Sequence, residues 1–154
     1  MELNKGVKEA LYNIDFIHRY ENLSNTFNDK KTPIKERLRY FDGEIIMDSL
    51  MQLGYEVEFE PKEKYFKIKE EKIKNYTFAV NIILENGMVD LVWIVKDNGK
   101  LIQGLPIGEY SRLMIAPNYK IKKPIFGTYE DLDKIFEVSF DMFEDFKQKL
   151  TSIS

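Results

Sequence analysis

Phe78-Ala79-Val80-Asn81-Ile82-Ile83-Leu84-Glu85-Asn86-Gly87-Met88-Val89-Asp90-Leu91-Val92-Trp93-Ile94-Val95 is the stretch on which the fold turns. Phe78, Val80, Ile82 and Leu84 recur at the two-residue period of a strand, and Val89, Leu91, Trp93 and Val95 do the same on the far side. Between them, Asn86-Gly87 accepts positive φ at both central positions of a type I′ turn. With that pair as a two-residue loop, Leu84 faces Val89, Ile82 faces Leu91, Val80 faces Trp93 and Phe78 faces Val95. All eight apolar side chains then share one face of a sheet.

Downstream, a second pair, Asn98-Gly99, brings Ile102 opposite Val95 and extends the hairpin to a meander. Upstream, Tyr55, Val57 and Phe59 mark a short strand, residues 61–64 a turn, and Phe66 with Ile68 a second, heavily charged strand that reads as the sheet edge. Before the strands, Leu3, Val7, Ala10, Leu11, Ile14 and Ile17 recur at helical spacing and predict a helix over residues 3–20. Residues 22–31, rich in Asn, Ser and Asp, predict a break. Thr32 then offers an N-cap and Pro33 a first helical position. Ile34, Leu38, Phe41, Ile45 and Leu53 supply an apolar face until Gly54 ends that helix. Gly104, Pro106 and Gly108 are expected to end regular structure, with residues 104–112 crossing from the sheet to the last helix; the alternative for this segment, which carries Tyr110 and Arg112, is a recognition loop. Residues 115–126, with Lys120, Lys122 and Lys123, read as irregular. Thr128-Tyr129-Glu130-Asp131 is a capping-box-like start for a helix reaching Leu150. The expectation is an α+β fold in one domain over residues 1–154. An antiparallel sheet of about five strands, a meander with two Asn-Gly hairpins, packs against two N-terminal helices and one C-terminal helix.

Composition narrows the function. The chain has 154 residues, 44% hydrophobic and 14% aromatic, enough to bury a core. Its 23 basic and 26 acidic residues leave a formal charge of −3, so a general basic footprint for nucleic acid is missing. The absence of cysteine excludes disulfides, thiolate zinc sites and cysteine nucleophiles. A single histidine, His18, leaves little for imidazole chemistry. Phosphate loops and the HExxH and GxSxG patterns are missing too, so no catalytic residue, cofactor or metal ligand is expected. The first residues do not form a signal peptide, and the apolar stretch 78–95 is interrupted by Asn81, Glu85, Asn86, Gly87 and Asp90. A cytoplasmic protein without membrane contact is expected. Residues 50–59 resemble the helix-Gly-aromatic-strand opening of restriction-endonuclease-like nucleases. The following strands supply only Asp90, and Glu70-Glu71-Lys72 reads as a charged loop, so nuclease activity is not expected.

The last helix carries the most unusual pattern. On a wheel of 100° per residue, Leu132, Ile135, Phe136, Ser139, Phe143, Phe146 and Leu150 fall on one side. Glu130, Asp133, Glu137, Asp141 and Glu144 fall nearly opposite, flanked by Asp131 and Asp145. Like charges three or four apart each cost about 0.2–0.5 kcal/mol. The helix dipole justifies Glu130 and Asp133 but not Asp141 and Glu144. From residue 128 to residue 147, seven acids oppose two lysines, a local charge of −5 in a chain otherwise at +2. A solvated face is the bland reading; docking of a basic partner is the sharper one.

Pro124-Ile125-Phe126-Gly127-Thr128-Tyr129-Glu130-Asp131-Leu132, followed by Phe143-Glu144-Asp145-Phe146-Lys147, resembles the closing helix of small immunity proteins from bacterial polymorphic and contact-dependent toxin systems. The resemblance covers about the last 30 residues. It implies a non-catalytic protein that binds and blocks a cognate toxin, such as a basic nuclease. Glu130, Asp131, Asp133, Glu137, Asp141, Glu144 and Asp145 are then the expected partner-binding residues. The alternative is a small-ligand-binding or enzymatic domain with a pocket between sheet and helices, using Tyr110, Arg112 or Trp93. The oligomeric state stays open.

Overall fold

The computed structural model describes residues 2–153. The central hairpin joins β3 (Tyr76–Glu85) to β4 (Met88–Asp97) with Leu84 opposite Val89, Ile82 opposite Leu91, Val80 opposite Trp93 and Phe78 opposite Val95. Asn86 and Gly87 take φ of 55° and 70° at its tip, as the turn type requires. Gly87 is needed for space as well, since a Cβ there would lie 2.6 Å from Cβ of Arg37. β1 (Val57–Glu60), β2 (Tyr65–Ile73) and β5 (Lys100–Pro106) complete an antiparallel sheet in sequence order, β1-β2-β3-β4-β5.

Two bulges correct the expected strand assignments. β2 is not the edge; β1 is, and it covers β2 only as far as Ile68. Glu70-Glu71-Lys72 is no loop but the second half of β2, past a bulge between Ile68 and Glu71. In the second Asn-Gly hairpin, a register shift between Val95 and Lys96 places Gln103, not Ile102, opposite Val95. A bulge adds one residue to one strand and exchanges the faces beyond it. Neither bulge has a signature in the apolar alternation.

The helices are shorter and more numerous than expected. α1 (Lys5–Asn13) buries Val7, Ala10 and Leu11, and α2 (Phe16–Thr26) buries Phe16, Tyr20 and Leu23. Continuing the first stripe at helical spacing would have turned His18 and Glu21 inward. Asp15, at φ 57°, breaks the helix and resets the phase so that the aromatics face the sheet. α2 runs on through the expected break at Asn22. The single helix expected from Thr32 to Gly54 is a 3₁₀ turn, Ile34–Glu36, an extended segment, and α3 (Gly43–Gln52). Leu38 spends its N–H on the Phe126 carbonyl (3.1 Å), and Asp42 rather than Thr32 caps α3, accepting from the Glu44 N–H at 2.9 Å. Gly54, at φ 97°, follows α3 as expected. Gly104 and Pro106 lie within β5, and Gly108–Met114 forms a short helix, α4.

α5 (Tyr129–Ile153) lies across the apolar face of the sheet, between α1 and α2 on one flank and α3 on the other. Thr128 Oγ1 accepts the Asp131 N–H at 3.0 Å and Asp131 accepts the Gly127 N–H at 3.0 Å, the reciprocal pattern of a capping box displaced by one residue. Residues 115–126 are irregular, as expected, and tie down the hairpin tip: Val89 N–H bonds Pro124 O and Phe126 N–H bonds Gly87 O. Trp93 is fully buried at the centre, with Phe16, Tyr110, Phe143 and Phe146 around it. Among the described residues, no helix is long and apolar enough to cross a membrane.

Candidate functional site

The seven acidic residues of α5 fall into three groups once the helix has neighbours. Asp131 and Asp145 face the α1–α2 flank, where Lys31 reaches Asp131 at 3.1 Å and Arg19 reaches Asp145 at 2.9 Å. Burial raises the Asp131 carboxyl, but hydrogen bonds from Gly127, Lys31 and Thr128 and the Lys31 charge outweigh it and hold the group below its ordinary value. Asp133 and Glu144 face the other flank: Asp133 accepts from the Ser49 hydroxyl of α3, and Glu144 accepts from the Tyr55 hydroxyl at 2.5 Å. Glu130, Glu137 and Asp141 are exposed on the outer side. Glu137 has only Lys134, at 3.8 Å, and among the described residues Glu130 and Asp141 pair with nothing. The like-charge repulsion along the helix is relieved at both flanks by cations and hydroxyls from other elements.

The outer acids continue onto α3, a helix without a basic residue. Glu44 and Asp48 are exposed there, beside the exposed apolar side chains Ile45 and Met51. Tyr40, 91% exposed, precedes α3, and Asp42 two residues on donates its N–H to the Tyr129 hydroxyl at 2.9 Å, which places this segment at the start of α5. Leu53, also exposed, follows α3. The two helices pack against each other and expose Glu44 and Asp48 on α3 and Glu130, Asp133, Glu137 and Asp141 on α5, where Lys134 is the one basic residue between Glu130 and Asp141; together they form the α3–α5 face. Apolar anchors within a polar, charged rim are the usual anatomy of a protein-binding surface.

Below this face, where β1 stops short and α3 gives way to Gly54, a cleft of about 580 Å³ opens between the sheet and α5. Lys147 forms its floor and is only 4% exposed. Its ammonium donates to Glu71 at 2.6 Å and pairs with Glu144 at 2.7 Å, lying 4.9 Å from the centre of the Phe143 ring. The β2 bulge makes this possible: it puts Glu71 opposite Phe78, on the core face of the sheet. Tyr55 hydrogen-bonds the same Glu144 oxygen, and burial, that bond and the charges of Glu144, Glu71 and Asp141 all raise its phenol above the ordinary value.

Tyr55, Glu71 and Lys147 were absent from the residues expected at a site, since Glu71 and Lys147 meet only through the tertiary fold. One signal was readable: Lys147 lies four residues after Phe143, inside the apolar sector of the helix wheel. A pocket between sheet and helices therefore exists, but Trp93 and Tyr110 do not line it; both are close-packed in the core. Arg112 lies elsewhere, in a groove of about 590 Å³ with Arg37, Lys120, Lys122, Lys123, Asp90 and Glu109. There Lys123 pairs with Asp90 at 3.4 Å and Arg112 with Glu109 at 3.6 Å.

Among the described residues, no group of three or more His, Cys, Asp or Glu side chains is placed to hold a metal ion. No protein-family model, curated protein or solved structure matches the chain.

Proposed function

We propose that the protein neutralises a bacterial toxin domain by docking the toxin's basic surface on the α3–α5 face. The observation that carries this reading is the exposure, on two helices packed against each other, of six carboxylates together with the apolar side chains Ile45 and Met51 of α3 and its chain neighbours Tyr40 and Leu53. The carboxylates steer a cationic partner and set its orientation, and the apolar side chains supply the contact that holds it. Both fit the role implied by the immunity-protein resemblance of residues 124–147. Within the acidic set, Glu130, Glu137 and Asp141 meet the partner, while Asp131, Asp133, Glu144 and Asp145 hold α5 against its neighbours and contribute to the field.

The test pairs the protein with the product of a toxin-like reading frame beside its own. Replacing Glu130, Glu137 and Asp141 together by Lys should slow association about tenfold or more at low salt and flatten its salt dependence. Stability should fall by no more than about 1 kcal/mol, from a cation replacing Glu130 at the helix N-terminus, because among the described residues none of the three makes a hydrogen bond or ion pair to another element. Unchanged association with a toxin that the wild type inhibits would remove the face from the mechanism.

The cleft at Lys147 favours a second reading, a small-ligand-binding or enzymatic domain. A large thermal stabilisation by a metabolite, with no protein partner recovered, would select it.

A further inference from the structure

The cleft already holds one cation, supplied by the chain itself. Lys147 lies between two carboxylates and over an aromatic ring, an arrangement that recognises an alkylammonium by charge, hydrogen bonding and ring quadrupole together. That internal cation does not saturate its acceptors. Lys147 and Tyr55 use Glu71 Oε1 and Glu144 Oε2; the second oxygens, Glu71 Oε2 and Glu144 Oε1, make no hydrogen bond among the described residues. Both side chains are about half exposed, at 55% and 52%, so their free oxygens are within reach of solvent.

The surrounding charge points the same way. Glu56 and Glu70 in the lining are paired, with Lys69 at 3.0 Å and Lys96 at 3.6 Å, whereas Glu71 and Glu144 share the one ammonium of Lys147 and carry the excess negative charge of the cleft. Leu53, Ile68, Phe78 and Phe143 give the cleft apolar walls. An anion would have to displace two carboxylates to reach the Lys147 ammonium. A second cation needs only the free oxygens.

We propose that the mouth of this cleft binds an alkyl cation, a guanidinium or primary ammonium on a short aliphatic stem. Glu71 and Glu144 receive the head group, and Leu53, Ile68 and Phe143 flank the stem. That the head group belongs to an Arg or Lys side chain of the toxin rests on the docking reading above; the preference of the cleft for a cation does not. The cleft lies beside the α3–α5 face, so a basic side chain from a protein docked there enters it without crossing the core.

The experiment is a ¹H–¹⁵N NMR titration of the full chain with N-acetyl-arginine methylamide, agmatine and butyrate, and it needs no toxin. Both cations should give saturable shifts confined to residues 53–56, 68–71 and 143–147. Glu144→Gln should weaken binding about tenfold. Lys147→Met removes the internal competitor and should tighten it by a similar factor. The methionine replaces a side chain already buried, so this variant keeps the test intact if Glu144→Gln fails to fold. Butyrate binding that disappears in Lys147→Met would overturn the proposal, as would cation shifts spread over Glu130, Glu137 and Asp141 or no saturable shift at all. Binding of agmatine without the blocked arginine would overturn the assignment to a protein side chain. Failure of the docking face would instead show in its own charge-reversal variant, with the cleft titration unchanged.

Discussion

On the flank of α5 that meets α1 and α2, Trp93 is enclosed by Phe16, Tyr110, Phe143 and Phe146 at ring-centroid separations from 5.1 to 6.1 Å. On the flank that meets α3 and β1, the same helix borders a cleft of about 580 Å³ with a lysine at its floor. One flank is filled by rings, so its energetics are those of close packing; the other is wet, so its energetics are those of paired charges. The contrast teaches that an acidic residue on α5 is defined by the flank it faces. Asp131 and Asp145 each receive a cation from across the helix boundary, Glu144 shares one with the sheet, and Glu130 and Asp141 are exposed with no ion pair among the described residues.

The packed flank makes the most severe demand. Phe146→Ala, at a fully buried position against Trp93 and Phe78, should cost about 3–5 kcal/mol in urea denaturation. Leu53→Ala on the cleft side, where the residue is 38% exposed, should cost less than about 1 kcal/mol. Equal losses would end the distinction between the flanks. Asp131→Asn sharpens it next, with an expected cost of about 1 kcal/mol at neutral pH from the weakened cap and lost ion pair. The folded Asp131 carboxyl lies below its ordinary 3.8, so its contribution is present above that value and lost as pH falls through the lower folded one. Stability measured from pH 7 into the acid range should therefore converge for wild type and Asp131→Asn, and a gap that stays constant would contradict this. Smallest is the effect of Tyr110→Phe. The hydroxyl is buried without a hydrogen-bond partner among the described residues, so its removal should be neutral or stabilise by less than about 1 kcal/mol. A loss larger than that would show the hydroxyl to be bonded in solution.

The β3–β4 pairing was legible because Asn86-Gly87 and eight alternating apolar residues specify the same register independently. The next hairpin has an equally clear Asn98-Gly99 turn, yet its pairing slips after Lys96, because the alternation of Leu101 to Leu105 does not reveal which residue is extra. Among the helices, the 3.6-residue period located α5 but blurred α1 into α2. The change of phase at Asp15 shows only when Phe16, Tyr20 and Leu23 are grouped as a second stripe. The acidic stripe was visible as a pattern, while its division among Arg19, Lys31, Ser49 and Tyr55 depends on which elements become neighbours. The Glu71–Lys147 pair spans 76 positions and needs a bulge to form, so local spacing could not disclose it.

The meander also has a consequence for the order in which the chain can become structured. Every strand pairs with its sequence neighbour, so the sheet can assemble one hairpin at a time while the chain is being synthesised. Its apolar face is covered only in part by α2 and α4, through Phe16 and Tyr110 on Trp93, until α5 brings Phe143 and Phe146 onto Phe78 and Trp93, and α1 packs against α5. Strand pairing is therefore an early and local event, whereas closure joins α1 and α5, segments far apart in sequence. A ribosome-bound chain lacking α5 would carry a formed but incompletely covered sheet, the species most in need of a chaperone.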